Sequence, residues 1–300
     1  MSKIEILFLG TACMMPTKDR NHQAILLSYQ NQGLLFDCGE NTQRQLRIAG
    51  IKPSKITKIF LSHWHGDHVL GLPGLLQSLN ASEYNGVLEI YLPKGDKKYF
   101  DHMLEAFPFD MLIETKVFEI DNDSTIFESD DFKVEAVELE HGVRTFGFNF
   151  IEKDKRRIKT ATANKHGIPQ GPLMGKLQKG ESITHNGKEF SPEELTYVVK
   201  GKKVSFVSDT ILCKKCDELV KEADLLICES AFCSEHLNKA EGFKHMTAEQ
   251  AGLLASRANV KKLVLTHFSQ RYKSTDKMAE EAKNVFNDAE CSYDFMKIRL

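Results

Sequence analysis

The distribution of apolar positions predicts β-strands through most of the first half of the chain. Apolar runs at 24–29 and 34–37 flank a polar turn that contains Gly33, a pattern typical of a β-hairpin. Other short apolar runs predict strands at 3–9, 56–61, 88–92, 116–120, 132–139 and 145–152. Helical composition lies between them, at 41–49 before Gly50, at 69–79 and around 97–107.

Strands and helices alternate in the second half of the chain. The pattern predicts two core strands, at 196–199 and 203–207, on either side of a turn at 200–202. The remaining pattern predicts a helix at 213–222, a strand at 224–228, a helix at 248–257 after the N-cap Thr247, a strand at 262–265 and a helix at 277–287. This order favours an α/β fold in which two sheets face each other and helices cover their outer faces.

The segment 152–194 differs from its surroundings. It is rich in charged residues, glycine and proline and has little apolar periodicity, which is typical of an inserted arm rather than of core. Its basic residues include Lys153, Lys155, Arg156, Arg157, Lys159, Lys165, Lys176 and Lys179. Such a local basic patch can attract phosphates, although a solvated mobile loop is the alternative. We therefore expect a single domain at 1–300 with a projecting arm at 152–194.

Overall charge and hydropathy exclude some classes of protein. The 300 residues include 40 Lys and Arg against 42 Asp and Glu, so the net charge of −2 does not by itself favour a nucleic-acid partner. No apolar run approaches the roughly 18 residues that span a bilayer, and the N-terminus lacks the pattern of a secretory signal. We expect a cytoplasmic protein with no membrane association.

The seven cysteines are expected to be reduced thiols in that compartment. Cys213 and Cys216 have the two-residue gap of a zinc knuckle, and Cys228 and Cys233 follow with a looser gap. Since structural zinc sites usually contain two short-gap pairs, ordinary thiols are favoured over a zinc site here.

The strongest chemical signal is a histidine-rich turn directly after the strand predicted at 56–61. His63, His65, Asp67 and His68 are four potential metal ligands within six residues. Imidazoles and carboxylates suit zinc, and also manganese or iron. A solvated polar loop with chance histidines is the alternative, but this density of ligand types at a strand end favours a metal site.

Three further candidate ligands follow other predicted strands. His141 follows the strand at 132–139, Asp209 follows the one at 203–207, and His267 follows the one at 262–265. Each of them alone could be an ordinary loop residue. Because they repeat one placement, we expect them to complete the site formed by the histidine-rich turn.

The run from His63 to His68 matches the His-x-His-x-Asp-His signature of the metallo-β-lactamase superfamily. Within it the chain resembles, along essentially its whole length, the short form of the tRNase Z family, endonucleases that trim the 3′ trailer of precursor tRNA. The loop at 16–21 matches the Pro-x-Lys-x-Arg-Asn loop of that family. The other segments that resemble family motifs are 37–40, 42–45, 228–231, 245–247 and 266–272. Residues 167–172, which contain Gly171 and Pro172, and residues 175–177 resemble the Gly-Pro element of the family's tRNA-binding arm.

The resemblance implies a four-layer αβ/βα sandwich, two zinc ions and a role for each candidate residue. One ion would be held by His63, His65 and His141, the other by Asp67, His68 and His267, with Asp209 bridging them. Asp67 would also accept the proton of the nucleophile, His245 would serve as general acid, and Glu229 would orient His245. Substrate contacts would come from Lys18, Arg20, Asn21, Arg271, Gly171 and Pro172.

The resemblance also implies a reaction and partners. Precursor tRNA would be cleaved to leave a 3′-hydroxyl on the tRNA and a 5′-phosphate on the trailer. The arm of one subunit would reach tRNA bound to the other, so a homodimer is implied. Another hydrolase of the same fold, such as a small-molecule phosphodiesterase or lactonase, remains the alternative, but such enzymes lack the arm and the Pro-x-Lys-x-Arg-Asn loop. A non-catalytic member of the fold would lack ligands, and none is missing here.

Overall fold

A computed structural model describes residues 3–108 and 110–300 of the chain. These residues form two compact units. The first comprises the described residues up to Phe127 together with Val134–Phe150 and Lys203–Leu300, and the second comprises Glu128–Lys133 and Ile151–Lys202. The second unit therefore includes the segment 152–194 that the sequence sets apart.

The strands are β1 (Ile4–Gly10), β2 (Ala24–Tyr29), β3 (Gln32–Phe36), β4 (Ile56–Phe60), β5 (Val87–Pro93), β6 (Glu114–Ile120), β7 (Ser124–Glu128), β8 (Phe132–Leu139), β9 (Thr145–Glu152), β10 (Lys155–Ile158), β11 (Ile183–His185), β12 (Lys188–Phe190), β13 (Thr196–Val199), β14 (Lys203–Val207), β15 (Leu225–Glu229), β16 (Leu263–Thr266), β17 (Ala289–Cys291) and β18 (Lys297–Arg299). The helices are α1 (Thr42–Ile48), α2 (Gly66–Val69), α3 (Leu72–Ala81), α4 (Lys97–Glu105), α5 (Thr160–Lys165), α6 (Pro172–Gln178), α7 (Pro192–Leu195), α8 (Lys214–Val220), α9 (Leu237–Phe243), α10 (Ala248–Arg257) and α11 (Asp276–Val285). Short 3-10 helices cover Pro53–Lys55 and Ser234–His236.

Two mixed seven-stranded sheets form the first unit. The first sheet has the order β18-β1-β2-β3-β4-β5-β6, with the hairpin expected around Gly33 and parallel pairing from β3 to β6. The second has the order β17-β16-β15-β14-β9-β8-β7, with parallel pairing from β14 to β17. Loops that follow the parallel strands emerge at the same edge of each sheet.

Aromatic side chains fill the space between the two sheets. Phe36 of β3 stacks on Phe206 of β14 with ring centroids 3.8 Å apart, and Phe148 of β9 lies 5.8 Å from both Phe36 and Phe60. These rings are at most 5% exposed, and burying each one contributes about 1.5–3 kcal/mol. This aromatic layer holds the two sheets face to face.

Helices cover the outer face of each sheet. Leu46 of α1 and the apolar face of α3 pack on the first sheet, and apolar residues of α8, α10 and α11 pack on the second. The order helix, sheet, sheet, helix is the four-layer sandwich expected from the sequence. The predicted N-cap of α10 is also confirmed, because the Thr247 hydroxyl accepts a hydrogen bond from the backbone N–H of Gln250.

The second unit has a small core of its own. Strand β10 pairs antiparallel with β13, β11 pairs with β12, and helices α5, α6 and α7 lie between these strands in the chain. Its apolar cluster contains the buried residues Ala163, Ile168, Leu177, Ile183, Phe190 and Leu195. They are spaced too widely to show a period in the sequence, yet together they bury an apolar cluster.

The prediction that residues 196–199 belong to the main core is wrong. Residues 196–199 were expected to resume the main core, but Thr196–Val199 pairs with Lys155–Ile158 within the second unit. Tyr197 and Val198 are exposed, although both are apolar. Local hydrophobicity predicts a strand without specifying its partner, and here a non-local pairing decided it.

Candidate metal centre

The ends of four strands bring the candidate ligands to one place. His63 follows β4, His141 follows β8, Asp209 follows β14 and His267 follows β16. Each of these residues lies in a short loop after its strand. The loop after β4 belongs to the first sheet and the other three loops to the second, so both sheets contribute ligands. All seven residues proposed as metal ligands from the sequence lie in this one cluster.

The first half of the cluster contains three imidazoles and one carboxylate. His65 Nδ1 lies 3.1 Å from His63 Nε2 and 3.3 Å from His141 Nε2. Asp209 Oδ2 is 3.8 Å from Nε2 of both His63 and His141. Burial lowers the pKa of these three histidines, which favours the neutral form that binds metal ions.

The second half contains Asp67, His68, His267 and the other oxygen of Asp209. Asp209 Oδ1 lies 3.4 Å from His68 Nε2 and 3.3 Å from His267 Nε2. Asp67 Oδ2 lies 3.5 Å and 3.4 Å from the same two nitrogens. Asp209 thus offers one carboxylate oxygen to each half, the arrangement of a bridging ligand.

The charge and hydrogen bonding of Asp209 and His68 suit the binding of divalent cations. Burial by itself would raise the pKa of Asp209, but the neighbouring His267 and His68 rings outweigh it and hold the pKa well below its usual range, so the side chain is available as a carboxylate ligand. His68 Nε2 is buried without a hydrogen-bond partner while its Nδ1 faces a carboxylate. A ring held in this way presents an unshared electron pair toward the cluster, as a metal-binding histidine does.

Asp37 supports the cluster and received no role from the sequence. Its Oδ2 lies 2.8 Å from His68 Nδ1, and its Oδ1 accepts a hydrogen bond of 2.8 Å from the backbone N–H of Ser62. This carboxylate fixes the orientation of the His68 ring. Its position directly after β3 is the signal that sequence reasoning could have used, since the proposed ligands show the same placement.

Backbone geometry at the site is also specialised. His267 has a φ of 63° and Asp37 a φ of 58°, a left-handed conformation that is costly for residues other than glycine. Gly71 lies against the turn at Gly39, where a Cβ atom would come within 2.0 Å of the Gly39 carbonyl oxygen. Close backbone packing therefore positions the histidine-rich turn beside the Asp37 turn.

His245 and Glu229 form a pair beside the cluster. His245 Nδ1 lies 3.0 Å from Glu229 Oε1, and Glu229 is fully buried at the end of β15. Burial lowers the pKa of His245, but the negative charges of Glu229 and Asp209 outweigh it and raise the pKa to about 9. The ring is therefore fixed by Glu229 and electrostatically suited to carry a proton.

A cleft of about 450 Å³ opens above the cluster. Its floor includes His65, His141 and His245, and apolar side chains including Met14, Phe232 and Phe243 line its walls. Met14 and Phe243 are 71% and 65% exposed. Such apolar walls around polar groups can hold bases against the reacting centre.

Some of the proposed substrate-binding side chains are already hydrogen-bonded within the protein, whereas others are exposed. Arg20 donates to the backbone carbonyl groups of Ser269 and Tyr272, and Asn21 Nδ2 donates to the Glu40 carbonyl at 2.7 Å. Both side chains thus hold neighbouring loops together. Lys18 is exposed beside a second cavity that shares Gln270 with the cleft.

The other three candidates lie elsewhere. Arg271 is exposed, with its guanidinium carbon 5.9 Å from the centroid of the Phe232 ring. Gly171 and Pro172 are exposed at the start of α6 in the second unit, and Gly171 has a φ of 140° that favours glycine. Among the described residues, none of the helices is long and apolar enough to cross a membrane.

Comparison with known proteins agrees with this geometry. The sequence profile of the metallo-beta-lactamase superfamily matches residues 17–149. The ribonuclease Z of Chlamydia abortus is 37% identical over 295 residues, covering 98% of this chain and 96% of that protein. The chain belongs to the ribonuclease Z family. Its fold is the metallo-beta-lactamase fold.

Two further relatives of this ribonuclease Z family member come from distant organisms. The ribonuclease Z of Methanothermobacter thermautotrophicus is 37% identical over 298 residues, covering 99% of this chain and 97% of that protein. The crystal structure of the short form of human tRNase Z aligns with a TM-score of 0.72 at 28% identity, over 98% of both chains. The similarity therefore extends through both units of the chain.

Proposed function

We propose that this chain is a metal-dependent endoribonuclease that removes the 3′ trailer from precursor tRNA and leaves a 3′-hydroxyl on the tRNA. The observation that carries this proposal is the sequence similarity to ribonuclease Z proteins, which is 37% identity over 98% of the chain for one of them. The chain also retains the complete cluster of candidate metal ligands. A small-molecule phosphodiesterase or lactonase would share the fold and the cluster, so the substrate distinguishes the two functions.

The cluster would hold two divalent cations, for which zinc is our first choice and manganese or iron the alternatives. Two cations held by these residues would lower the pKa of water to supply a nucleophile and would stabilise charge on the attacking and leaving oxygens. His63, His65 and His141 would form one site, and Asp67, His68 and His267 the other, bridged by Asp209. Two observations support this assignment. His68 Nε2 is buried without a hydrogen-bond partner, and the two carboxylate oxygens of Asp209 face different halves of the cluster.

Two residues would move protons, and one of them, Asp67, would also be a metal ligand. Asp67 Oδ2 accepts a hydrogen bond of 2.7 Å from the backbone N–H of Met14, which fixes the carboxylate at the cleft floor where it can accept the proton of the nucleophile. His245 lines the same cleft and binds Glu229 through Nδ1, so its Nε2 remains to protonate the departing ribose oxygen. Glu229 acts through His245 as a positioning residue.

The second unit would bind the body of the tRNA. Within residues 3–108 and 110–300, Lys165, Lys176 and Lys179 form no ion pair, and all three are exposed. Lys153 and Lys155, in contrast, are paired with Glu128 and Asp131 at 2.7 Å and 2.9 Å. The exposed lysines are therefore the best candidates for phosphate contacts. By resemblance, a cytoplasmic homodimer would bring this unit of one subunit to tRNA bound by its partner.

The test is cleavage of a tRNA that carries a 3′ trailer, with bis(p-nitrophenyl) phosphate as a comparison substrate. We expect cleavage just after the discriminator base, and we expect it to disappear in chelator and in His65→Ala. His102→Ala removes an exposed histidine from α4, far along the chain from the ligand set, and should retain activity. Hydrolysis of the small ester without cleavage of precursor tRNA would reject the tRNA assignment.

A further inference from the structure

Two cysteines that the proposed function does not use lie close to each other. Cys213 and Cys216 have their sulfur atoms 3.5 Å apart at the start of α8, and none of the seven cysteines forms a disulfide. Among the residues described, no third His, Cys, Asp or Glu side chain lies close enough to Cys213 and Cys216 to hold a metal ion together with them. The pair therefore fits thiol chemistry better than a zinc site.

The two thiols have different environments. Cys216 is fully buried, whereas Cys213 is 9% exposed and is followed by the exposed Lys214. A hydrogen bond from the Cys216 thiol, opposed by burial, lowers the pKa of Cys213 to about 6. The same contact and burial raise the pKa of Cys216. A slightly exposed thiol with a lowered pKa, beside a fully buried thiol with a raised pKa, fits a dithiol in which one sulfur attacks and the other resolves.

A short chain of contacts joins this pair to the metal centre. The Cys216 sulfur lies 3.8 Å from the Ile211 carbonyl oxygen, and the Ile211 N–H donates to the Glu140 carbonyl at 3.0 Å. Thr210 Oγ1 lies 3.2 Å from the same carbonyl. Ile211 is two residues from Asp209, and Glu140 directly precedes His141. Both segments that meet here therefore carry proposed metal ligands.

We propose that Cys213 and Cys216 form a reversible intramolecular disulfide whose formation weakens metal binding at the neighbouring centre. The oxidant is a low-molecular-weight disulfide of the glutathione class. The link to the metal centre rests on the proposed function, whereas the disulfide itself does not.

The electrons balance in two exchange steps. The Cys213 thiolate attacks one sulfur of the oxidant, forms a mixed disulfide and releases one low-molecular-weight thiolate. Cys216 then gives its proton to solvent, attacks the Cys213 sulfur and releases the second thiolate. The protein loses two thiols and gains one S–S bond, and the oxidant is reduced to two thiols.

Closing the pair changes the contacts of the Asp209 segment. A disulfide requires an S–S distance of about 2.05 Å, so the two sulfurs must approach from 3.5 Å. This approach moves the Cys216 sulfur relative to the Ile211 carbonyl oxygen, which the sulfur contacts at 3.8 Å and the Thr210 hydroxyl contacts at 2.9 Å. Since metal ligands must be held precisely, we expect oxidation to loosen the bridging carboxylate.

The experiment equilibrates the full-length, zinc-loaded protein in glutathione buffers from fully reduced to fully oxidised. Peptide mass mapping should show a Cys213–Cys216 disulfide in oxidising buffer, and transfer of zinc to a chromogenic chelator should become several-fold faster. Dithiothreitol should reverse both changes. In Cys213→Ser, zinc transfer should not respond to the buffer, whereas Cys291→Ser, which removes a partly exposed thiol elsewhere, should behave as wild type.

Two results would overturn the proposal. Absence of the Cys213–Cys216 disulfide across all buffers, while the protein stays folded by circular dichroism, would reject the dithiol. Formation of the disulfide with unchanged zinc transfer would reject its coupling to the metal centre. Disulfide mapping does not depend on tRNA cleavage, so failure of the proposed function would be recognised separately.

Discussion

Glu229 holds His245 in place through a hydrogen bond of 3.0 Å between Oε1 and the ring Nδ1. The same oxygen accepts the backbone N–H of Thr210 at 2.8 Å, directly after Asp209, the proposed bridging ligand. One buried carboxylate thus contacts both the proposed general acid and the segment that carries this proposed ligand. In the proposed function, this double role would link proton transfer to metal geometry at a single residue.

Replacing Glu229 should impair proton transfer more than substrate binding. We expect His245→Ala to lower kcat for precursor tRNA by about 10²–10⁴-fold, and Glu229→Gln to lower it by a smaller factor with KM little changed. The double variant should be hardly worse than His245→Ala, because the two residues act as a unit. Single-turnover cleavage assays measure these factors, and independent, multiplicative losses would contradict the pairing.

The two halves of the metal cluster should respond differently to substitution. Asp209→Ala removes a ligand from both halves, so it should lower zinc content throughout the cluster, whereas His141→Ala should affect mainly the half that contains His63 and His65. Zinc content by mass spectrometry after dialysis distinguishes them. Equal zinc loss in both variants would argue against a bridging role for Asp209.

Asp37→Asn tests the support of His68. The variant keeps the size of the side chain but loses the charge that faces His68 Nδ1 at 2.8 Å. Loss of such a partner typically costs about 10–100-fold in metal affinity, and we expect a loss in that range. Competition with a chelator of known affinity measures it. Unchanged affinity would show that the backbone alone orients the ring.

The exposed lysines of the second unit should contribute to tRNA binding through phosphates. Combined Lys165→Ala, Lys176→Ala and Lys179→Ala substitutions should weaken precursor tRNA binding and reduce its salt dependence by roughly one unit of slope per lost contact. Hydrolysis of the small phosphodiester should be unaffected. The matched control, Lys153→Ala, removes a lysine already paired with Glu128 and should change the salt slope little. Equal effects of the triple variant on both substrates would contradict a tRNA-specific role.

Asp294 should make folding stability depend on pH. Burial raises the pKa of this carboxyl to about 6, although it accepts hydrogen bonds from the Asn21 N–H and the Thr11 hydroxyl. Because the folded pKa lies above the unfolded one, the folded state binds the proton more tightly, and this contribution to stability is lost as pH rises from about 4 to 6.

We therefore expect the free energy of unfolding of wild type, relative to Asp294→Asn, to fall by about 1–2 kcal/mol between pH 4.5 and 7.5. Urea denaturation at several pH values measures this difference. A difference that stays constant across this range, or that grows with pH, would contradict the shift.

Much of the first unit follows from sequence patterns. Buried parallel strands such as β4 and β15 are mostly apolar, and local propensity with polar turns at each end suffices to locate them. The candidate ligands follow from one rule, because a ligand-capable residue comes after each of several predicted strands. The hairpin around Gly33 and the N-cap at Thr247 were predictable for the same reason, since both depend on residues adjacent in the chain.

Tertiary structure decided what depends on contacts between distant residues. The pairing of Thr196–Val199 with Lys155–Ile158, the convergence of scattered apolar residues in the second unit, and the ion pairs of Lys153 and Lys155 leave no periodic signal in the sequence. The same is true of Asp37 beside His68 and of the Cys213–Cys216 contact to the Asp209 segment. The sequence alone determined which residues are candidates for the chemistry and where most core strands end, because these are local properties. Only the folded chain determined which of those residues meet, because packing between the two sheets sets their distances.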